Sequence, residues 1–103
     1  MKRNKIVVFA KNQVWDLVSE TRIQSLHPDI RAKVTEFINI AENRGIKLRV
    51  TSGFRTYDEQ NKLYAQGRTT PGAIVTNAKG GESSHNFGTA IDVVPIIDGN
   101  ADW

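Results

Sequence analysis

The sequence predicts an α+β domain in which a small antiparallel sheet is packed by two main helices. Apolar residues recur at helical spacing over 28–44. Apolar and polar residues alternate over 46–54, as in a half-buried strand. A second helix over 56–66 and a second strand over 89–95 complete the expected layout. The 103 residues are enough for a single domain, 1–103, with one core.

The helix over 28–44 has the clearest local signals. Pro28 suits the first helical position, where its missing N–H is not needed, and Gly45 suits the position after the last turn. His27 precedes the helix, and we expect it to be a cap or surface residue rather than a metal ligand. The residues expected to face the core are Ile30, Val34, Phe37, Ile38 and Ala41.

The first part of the chain gives weaker signals. Residues 4–10 are expected to form a short strand, and 12–22 a short helix or an irregular segment, with Trp15 as a packing residue. The N-terminal apolar run is too short for the core of a signal peptide. No run of about 18 apolar residues exists, so no membrane span is predicted. We therefore expect synthesis in the cytoplasm without a signal peptide.

The segment that joins the first strand to the second helix contains two candidate site residues. Arg55 ends the strand, and it is either a solvated arginine or a bidentate clamp for a substrate carboxylate. Thr56 and Glu59 have the spacing of a capping box, which gives Glu59 a structural rather than a catalytic role. Gln60 shares a helix face with Leu63 and Tyr64. Those two are expected in the core, whereas Gln60 either packs, orients Arg55 or contacts substrate.

Composition excludes several classes of site. The net charge is +3, but the basic residues are scattered and form no recognition pattern, so nucleic-acid binding is not expected. The chain has no cysteine, which excludes disulfides and a thiolate zinc site. Any metal ligands must therefore come from histidine and carboxylate side chains.

The strongest motif is S-x-H-x-x-G-x-A-x-D over 83–92. His85 offers an imidazole nitrogen and Asp92 a carboxylate oxygen, and both suit Zn²⁺. Glycine and serine before His85 indicate a loop that leads into a strand. On the residues alone, a histidine near an aspartate is more often a surface hydrogen-bonded pair than a metal site, and both interpretations of His85 and Asp92 stay open. Ser83 either contacts substrate or caps the loop, and the loop over 68–84 is expected to form one wall of a cleft.

This motif resembles the signature of zinc peptidases that cut bacterial cell-wall peptides. The group comprises D-Ala-D-Ala carboxypeptidases and dipeptidases and the L-alanyl-D-glutamate endopeptidases of phage endolysins. Residues 51–64 resemble its S-G-[FY]-R-[ST]-x-x-x-Q-x-x-L-Y segment, and 67–76 look most like the endolysin branch. The resemblance runs over 24–103 and implies the same α+β layout. It implies Zn²⁺ as cofactor and peptidoglycan stem peptide as substrate. It assigns His85 and Asp92 as metal ligands and Arg55, Gln60 and Ser83 as substrate-binding residues.

The family's third zinc ligand is a histidine well downstream of the aspartate, preceded by a general-base carboxylate. No histidine follows His85, and Asp102 lies only ten residues after Asp92, so Asp102 is expected to close a turn. The resemblance therefore implies a chain that lacks the C-terminal catalytic segment. Absent final strands would leave a sheet edge uncovered, which predicts marginal stability or self-association.

Three functions stay open on this reasoning. The first is a zinc peptidase, most like an L-Ala-D-Glu endopeptidase and alternatively a D-Ala-D-Ala carboxypeptidase. The second is an inactive module that binds wall peptide, and the third is an interaction module in which His85 and Asp92 only hydrogen-bond. An enzyme without a signal peptide would reach the bacterial cell wall by a route such as phage-mediated release.

Overall fold

The computed structural model describes residues 13–103, which form an α+β domain as predicted. Within this part of the chain the three strands form one antiparallel sheet in the order β1-β2-β3. The strand expected over 4–10 lies outside the described residues. In chain order the elements are α1 (Leu17–Gln24), α2 (Pro28–Asn43), β1 (Leu48–Ser52), α3 (Tyr57–Ala65), a 3₁₀ helix (Ser84–Phe87), β2 (Asp92–Ile97) and β3 (Asn100–Ala101).

The apolar core lies where α1 and α2 pack against β1. Its buried members are Ile23, Leu26, Val34, Ile38 and Val50. In α2 the prediction was correct for Val34 and Ile38 and wrong for Phe37, which is 47% exposed. Thr35 is buried together with Val34 and Ile38, so the buried face of the helix extends from Val34 towards Thr35. Phe37 lies on the other side of Val34 and is therefore outside the buried face.

The helix ends follow the local signals. Pro28 lies in the first turn of α2, and His27 caps that helix by accepting a hydrogen bond from the Asp29 N–H at 3.1 Å. Gly45 follows the helix with a φ of +88°, a conformation that suits glycine. The predictions for Pro28, His27 and Gly45 are confirmed. The Nδ1 atom of His27 is engaged in capping the helix.

The capping box of α3 is also present as predicted. Thr56 accepts from the Glu59 N–H, and Glu59 accepts from the Thr56 N–H at 2.8 Å. The hydrogen bond from the Thr56 backbone is the main cause that lowers the pKa of Glu59. Glu59 therefore stabilises the helix end as an ionised group, which fits a cap better than a general base.

Helix α3 packs differently from the prediction. It buries Gln60, whereas Leu63 and Tyr64 are only partly buried and take no part in the apolar core cluster. The prediction that those two residues lie in the core was wrong. The loop after α3 contacts this helix through a carbonyl group, that of Ala78, which accepts from Gln60, whereas its large apolar residues Ile74 and Val75 are themselves exposed.

A polar network joins α1 to β1. Asp16 is 6% exposed and caps α1, accepting hydrogen bonds from the Ser19 N–H and hydroxyl. Arg49 donates to both carboxylate oxygens of Asp16, at 2.8 and 2.9 Å. The Ser19 hydroxyl in turn accepts from the Val50 N–H. The hydrogen bonds from Arg49 are the largest cause that lowers the pKa of Asp16, and those from Ser19 act in the same direction against the effect of burial.

One edge of the sheet is covered by side chains and the other is exposed. Along β1, Trp15 donates to the Leu48 carbonyl and Arg22 to the Val50 carbonyl, so side chains occupy that edge. The opposite edge is β3, a pair of exposed residues. Self-association through an uncovered edge stays a prediction, and β3 is where it would occur.

No helix in the described part of the chain combines the length and apolarity that a membrane span requires.

Candidate metal and peptide site

The site lies where β1 ends beside the start of β2. Ser52 is paired with Asp92, and a bulge between Val50 and Ser52 shifts the register there. β1 leads within three residues to Arg55, and β2 begins with Asp92. Strand pairing therefore brings the predicted carboxylate clamp and a predicted metal ligand to the same end of the sheet.

His85 and Asp92 are adjacent in space. The His85 Nε2 atom lies 3.4 Å from the Asp92 Oδ2 atom. His85 Nδ1 lies 2.8 Å from the Gly53 carbonyl oxygen, and because a carbonyl can only accept, Nδ1 donates. In the neutral ring this leaves the Nε2 lone pair facing Asp92. Such a hydrogen bond to the second ring nitrogen is the usual support of a metal-binding histidine.

The separation of these two atoms fits a shared metal ion. Two tetrahedral ligands at about 2.0–2.1 Å from one zinc ion lie about 3.4 Å apart. The His85 side chain is 12% exposed and that of Asp92 is 59% exposed, so the site opens to solvent on the side of Asp92. Among residues 13–103, however, no group of three histidine, cysteine or carboxylate side chains is close enough to hold a metal. The described residues thus supply two candidate ligands.

Arg55 points at this pair and is held from two sides. Its guanidinium donates to Gln60 Oε1 at 2.9 Å and to Ser52 Oγ at 2.8 Å. Its Nη2 atom lies 3.9 Å from Asp92 Oδ2. Two fixed hydrogen bonds restrict the rotamer of a long side chain, so the guanidinium is held in one orientation beside Asp92.

Gln60 is the residue that positions Arg55 from behind. It is 1% exposed, and its amide nitrogen donates to the Ala78 carbonyl at 2.8 Å. Its amide oxygen is the acceptor for Arg55. Of the alternatives left open by the sequence, this geometry favours orientation of Arg55 over direct contact with substrate.

Ser83 and Gly88 shape the turn that contains His85. Ser83 caps the 3₁₀ helix, its hydroxyl accepting from the His85 N–H at 3.2 Å, and its contact with substrate stays a prediction. Gly88 has a φ of +70°, and a Cβ atom there would lie 2.7 Å from the His27 nitrogen. The motif needs glycine at this position because the turn packs directly on the start of α2.

The loop between α3 and the 3₁₀ helix is fastened to α3. The Gly80 N–H donates to Asn61 Oδ1 at 2.7 Å, and Arg68 donates to the Tyr64 and Thr76 carbonyls. Arg68 also stacks on the Tyr64 ring at 3.9 Å. The loop thereby supplies the carbonyl that holds Gln60, and it acts on the site through that contact.

Asn86 is a site residue that the sequence reasoning missed. It is 5% exposed, and its amide nitrogen donates to the Arg55 and Thr56 carbonyls at 2.8 and 3.2 Å. Its amide oxygen accepts from the Gly81 and Ser83 N–H groups at 2.9 and 3.3 Å. One side chain therefore joins the arginine segment, the long loop and the histidine turn. The available signal was its place three residues after Ser83, the spacing of a capping box.

We expect Asn86→Ala to lower the free energy of unfolding by about 2 kcal/mol, because it leaves buried backbone donors and acceptors without partners. Urea unfolding followed by circular dichroism measures the change. Asn100→Ala is the matched control, since Asn100 is exposed on β3, and we expect a change within about 0.5 kcal/mol there. Equal effects of the two substitutions would contradict the joining role of Asn86.

Comparison with known proteins assigns the class. Residues 23–101 match the family described as VanY, D-alanyl-D-alanine carboxypeptidase, and the chain belongs to this family. The match includes all the site residues described above, and the cell-wall peptidase resemblance read from the motifs is confirmed.

The peptidoglycan L-alanyl-D-glutamate endopeptidase CwlK of Bacillus subtilis is a similar protein. It is 47% identical over 79 residues, which are 76% of this chain and 47% of that protein. This chain therefore spans about half the length of that relative.

Proposed function

We propose that this protein is a zinc-dependent endopeptidase that hydrolyses the L-alanyl-D-glutamate bond of peptidoglycan stem peptides. The observation that carries the proposal is the 3.4 Å approach of His85 Nε2 to Asp92 Oδ2, with the ring held through Nδ1. A relative named for this bond is 47% identical over most of this chain, which supports the choice of substrate. The place of action is then the bacterial cell wall, with phage-mediated release as the proposed route.

His85 and Asp92 would hold the zinc ion. When bound, zinc supplies Lewis-acid polarisation of the scissile carbonyl and activation of water. The residues of this chain do the remaining work of orientation. The Gly53 carbonyl fixes the His85 ring, and Arg55 lies close enough to Asp92 to limit the movement of its carboxylate. The third ligand and the general base are assigned to no residue between 13 and 103.

Arg55 would bind a carboxylate of the stem peptide. A guanidinium has five N–H donors, and Gln60 and Ser52 each occupy one. Nη2 also lies 3.9 Å from Asp92 Oδ2, beyond hydrogen-bond distance, so three donors are left for the paired hydrogen bonds that arginine makes with a planar carboxylate. Because Arg55 is beside Asp92, a peptide held there would have its adjacent amide bond near the metal ligands.

The test is hydrolysis of purified peptidoglycan by the zinc-supplemented protein, with products identified by mass spectrometry. Cleavage of the L-alanyl-D-glutamate bond creates a new N-terminal D-glutamate, and we expect a chelator to stop it and added zinc to restore it. Release of D-alanine alone would show a carboxypeptidase instead. Absence of both products would overturn the enzymatic proposal.

A second candidate is a module that binds wall peptide without cutting it. It is favoured by the grouping of only two candidate metal ligands among residues 13–103. This function predicts peptide binding that depends on Arg55, with no product formed at any zinc concentration. The hydrolysis assay therefore separates the two candidates.

A further inference from the structure

An open groove leads away from Arg55, and no residue of the long loop over 68–84 lines it. It has a volume of about 660 Å³ and lies between α1, the end of β1 and α3. Ser52, Gly53 and Arg55 form one end of it. Since Ser52 is paired with Asp92 and Gly53 holds His85, this end of the groove adjoins the candidate metal site.

The charged side chains in the walls of the groove are predominantly cationic. Arg22, Arg55 and Lys62 line it together with a single carboxylate, that of Glu59. The Glu59 carboxylate is occupied by the capping box of α3. Among residues 13–103, neither Arg22 nor Lys62 has a carboxylate within ion-pair distance. Lys62 acts on Glu59 only through longer-range electrostatic attraction. The groove therefore offers two cations that are not engaged in a close ion pair.

The groove also has apolar surface and a fixed shape. Phe54 is about half exposed in it, and Leu63 is partly buried along α3. Arg22 is held in place by the hydrogen bond from its Nη1 atom to the Val50 carbonyl at 2.8 Å. A ligand that matches these walls has carboxylates for the cations and methylene groups for the apolar surface.

We propose that this groove binds the acidic arm of the stem peptide, from D-glutamate onward, and that Lys62 and Arg22 together contact the carboxylate beyond the one held by Arg55. This inference deepens the proposed function and rests on it. D-glutamate retains a free carboxyl group within the peptide, and the diaminopimelate that follows it adds another. With one of these carboxylates held by Arg55, the charge of the other complements those of Arg22 and Lys62.

Charge reversal at Lys62 tests this assignment. The probe is the dipeptide D-glutamyl-diaminopimelate, which has no L-alanyl-D-glutamate bond to cut, and calorimetry gives its Kd. We expect Lys62→Glu to weaken binding about tenfold, because attraction becomes repulsion, and added salt to reduce this difference. The amidated form of the same dipeptide, in which carboxamides replace the carboxylates, should show little difference between wild type and variant.

Lys33→Glu is the matched control. Lys33 is exposed on α2 away from the groove, and it follows an aspartate by four residues, as Lys62 does. The two substitutions change net charge and helix pairing alike, so we expect Lys33→Glu to alter Kd less than twofold. Equal effects of both substitutions would overturn the groove assignment, as would failure of the wild type to bind the dipeptide. Neither result would decide whether the protein cleaves peptidoglycan. Cleavage is tested separately, by detection of the new N-terminal D-glutamate.

Discussion

Replacing His85 with alanine is expected to lower the zinc affinity of the protein by at least about 100-fold and to abolish zinc-dependent hydrolysis. The substitution removes the Nε2 donor that faces Asp92, and a single exposed carboxylate holds zinc poorly. Even loss of a group that only supports a ligand costs about 10–100-fold in metal affinity, so loss of the ligand itself should cost more. Competition with a chromophoric chelator measures the affinity.

His27→Ala is the control for this experiment, because His27 is the other histidine of the chain. Its ring nitrogen caps α2, so we expect a loss of about 0.5–1 kcal/mol in stability and no change in zinc affinity. If both variants bound zinc as tightly as wild type, the pair of His85 and Asp92 would be no metal site. Urea unfolding of each variant separates loss of a ligand from loss of the fold.

The parts of the fold that local chemistry determines were predictable. The proline start and glycine end of α2 and the capping box of α3 depend on residues a few positions apart, and all three are present. The strand ends were less accurate, since the predicted 46–54 and 89–95 became Leu48–Ser52 and Asp92–Ile97. The bulge after Val50 sets one of these ends, and it depends on a partner strand some 40 residues away.

The candidate site, like the fold, was predictable in part. The motif over 83–92 named His85 and Asp92, the segment over 51–64 named Arg55, and the structure brings these three together. The sequence did not predict the hydrogen bonds that hold these side chains in position. Asn86 contacts Arg55 across 31 residues, and Gln60 is fixed by a loop carbonyl 18 residues later. Such contacts have no periodic signature, because they join elements through single side chains.

The charged network at Asp16 is the clearest contact that the sequence could not predict, since Arg49 lies 33 residues away. We expect Asp16→Ala to lower the free energy of unfolding by about 2–4 kcal/mol, because it removes a helix cap and leaves Arg49 without its partner. The Ser19 hydroxyl, which accepts from Val50, also loses its own acceptor. Urea unfolding at pH 6 measures the loss. Asp102→Ala, at an exposed position, should change stability by less than about 0.5 kcal/mol.

The pH dependence gives this prediction a second, independent measurement. Folding lowers the pKa of Asp16, so the folded state favours the ionised carboxylate more than the unfolded state does. The resulting stabilisation is present above the unfolded pKa of about 3.9 and is lost as pH falls through the lower folded value. The stability difference between wild type and Asp16→Ala should therefore be constant from pH 5 to 7 and shrink below about pH 4. A difference that stayed constant to pH 2.5 would mean that the cap and its packing, rather than the ion pair with Arg49, join α1 to β1.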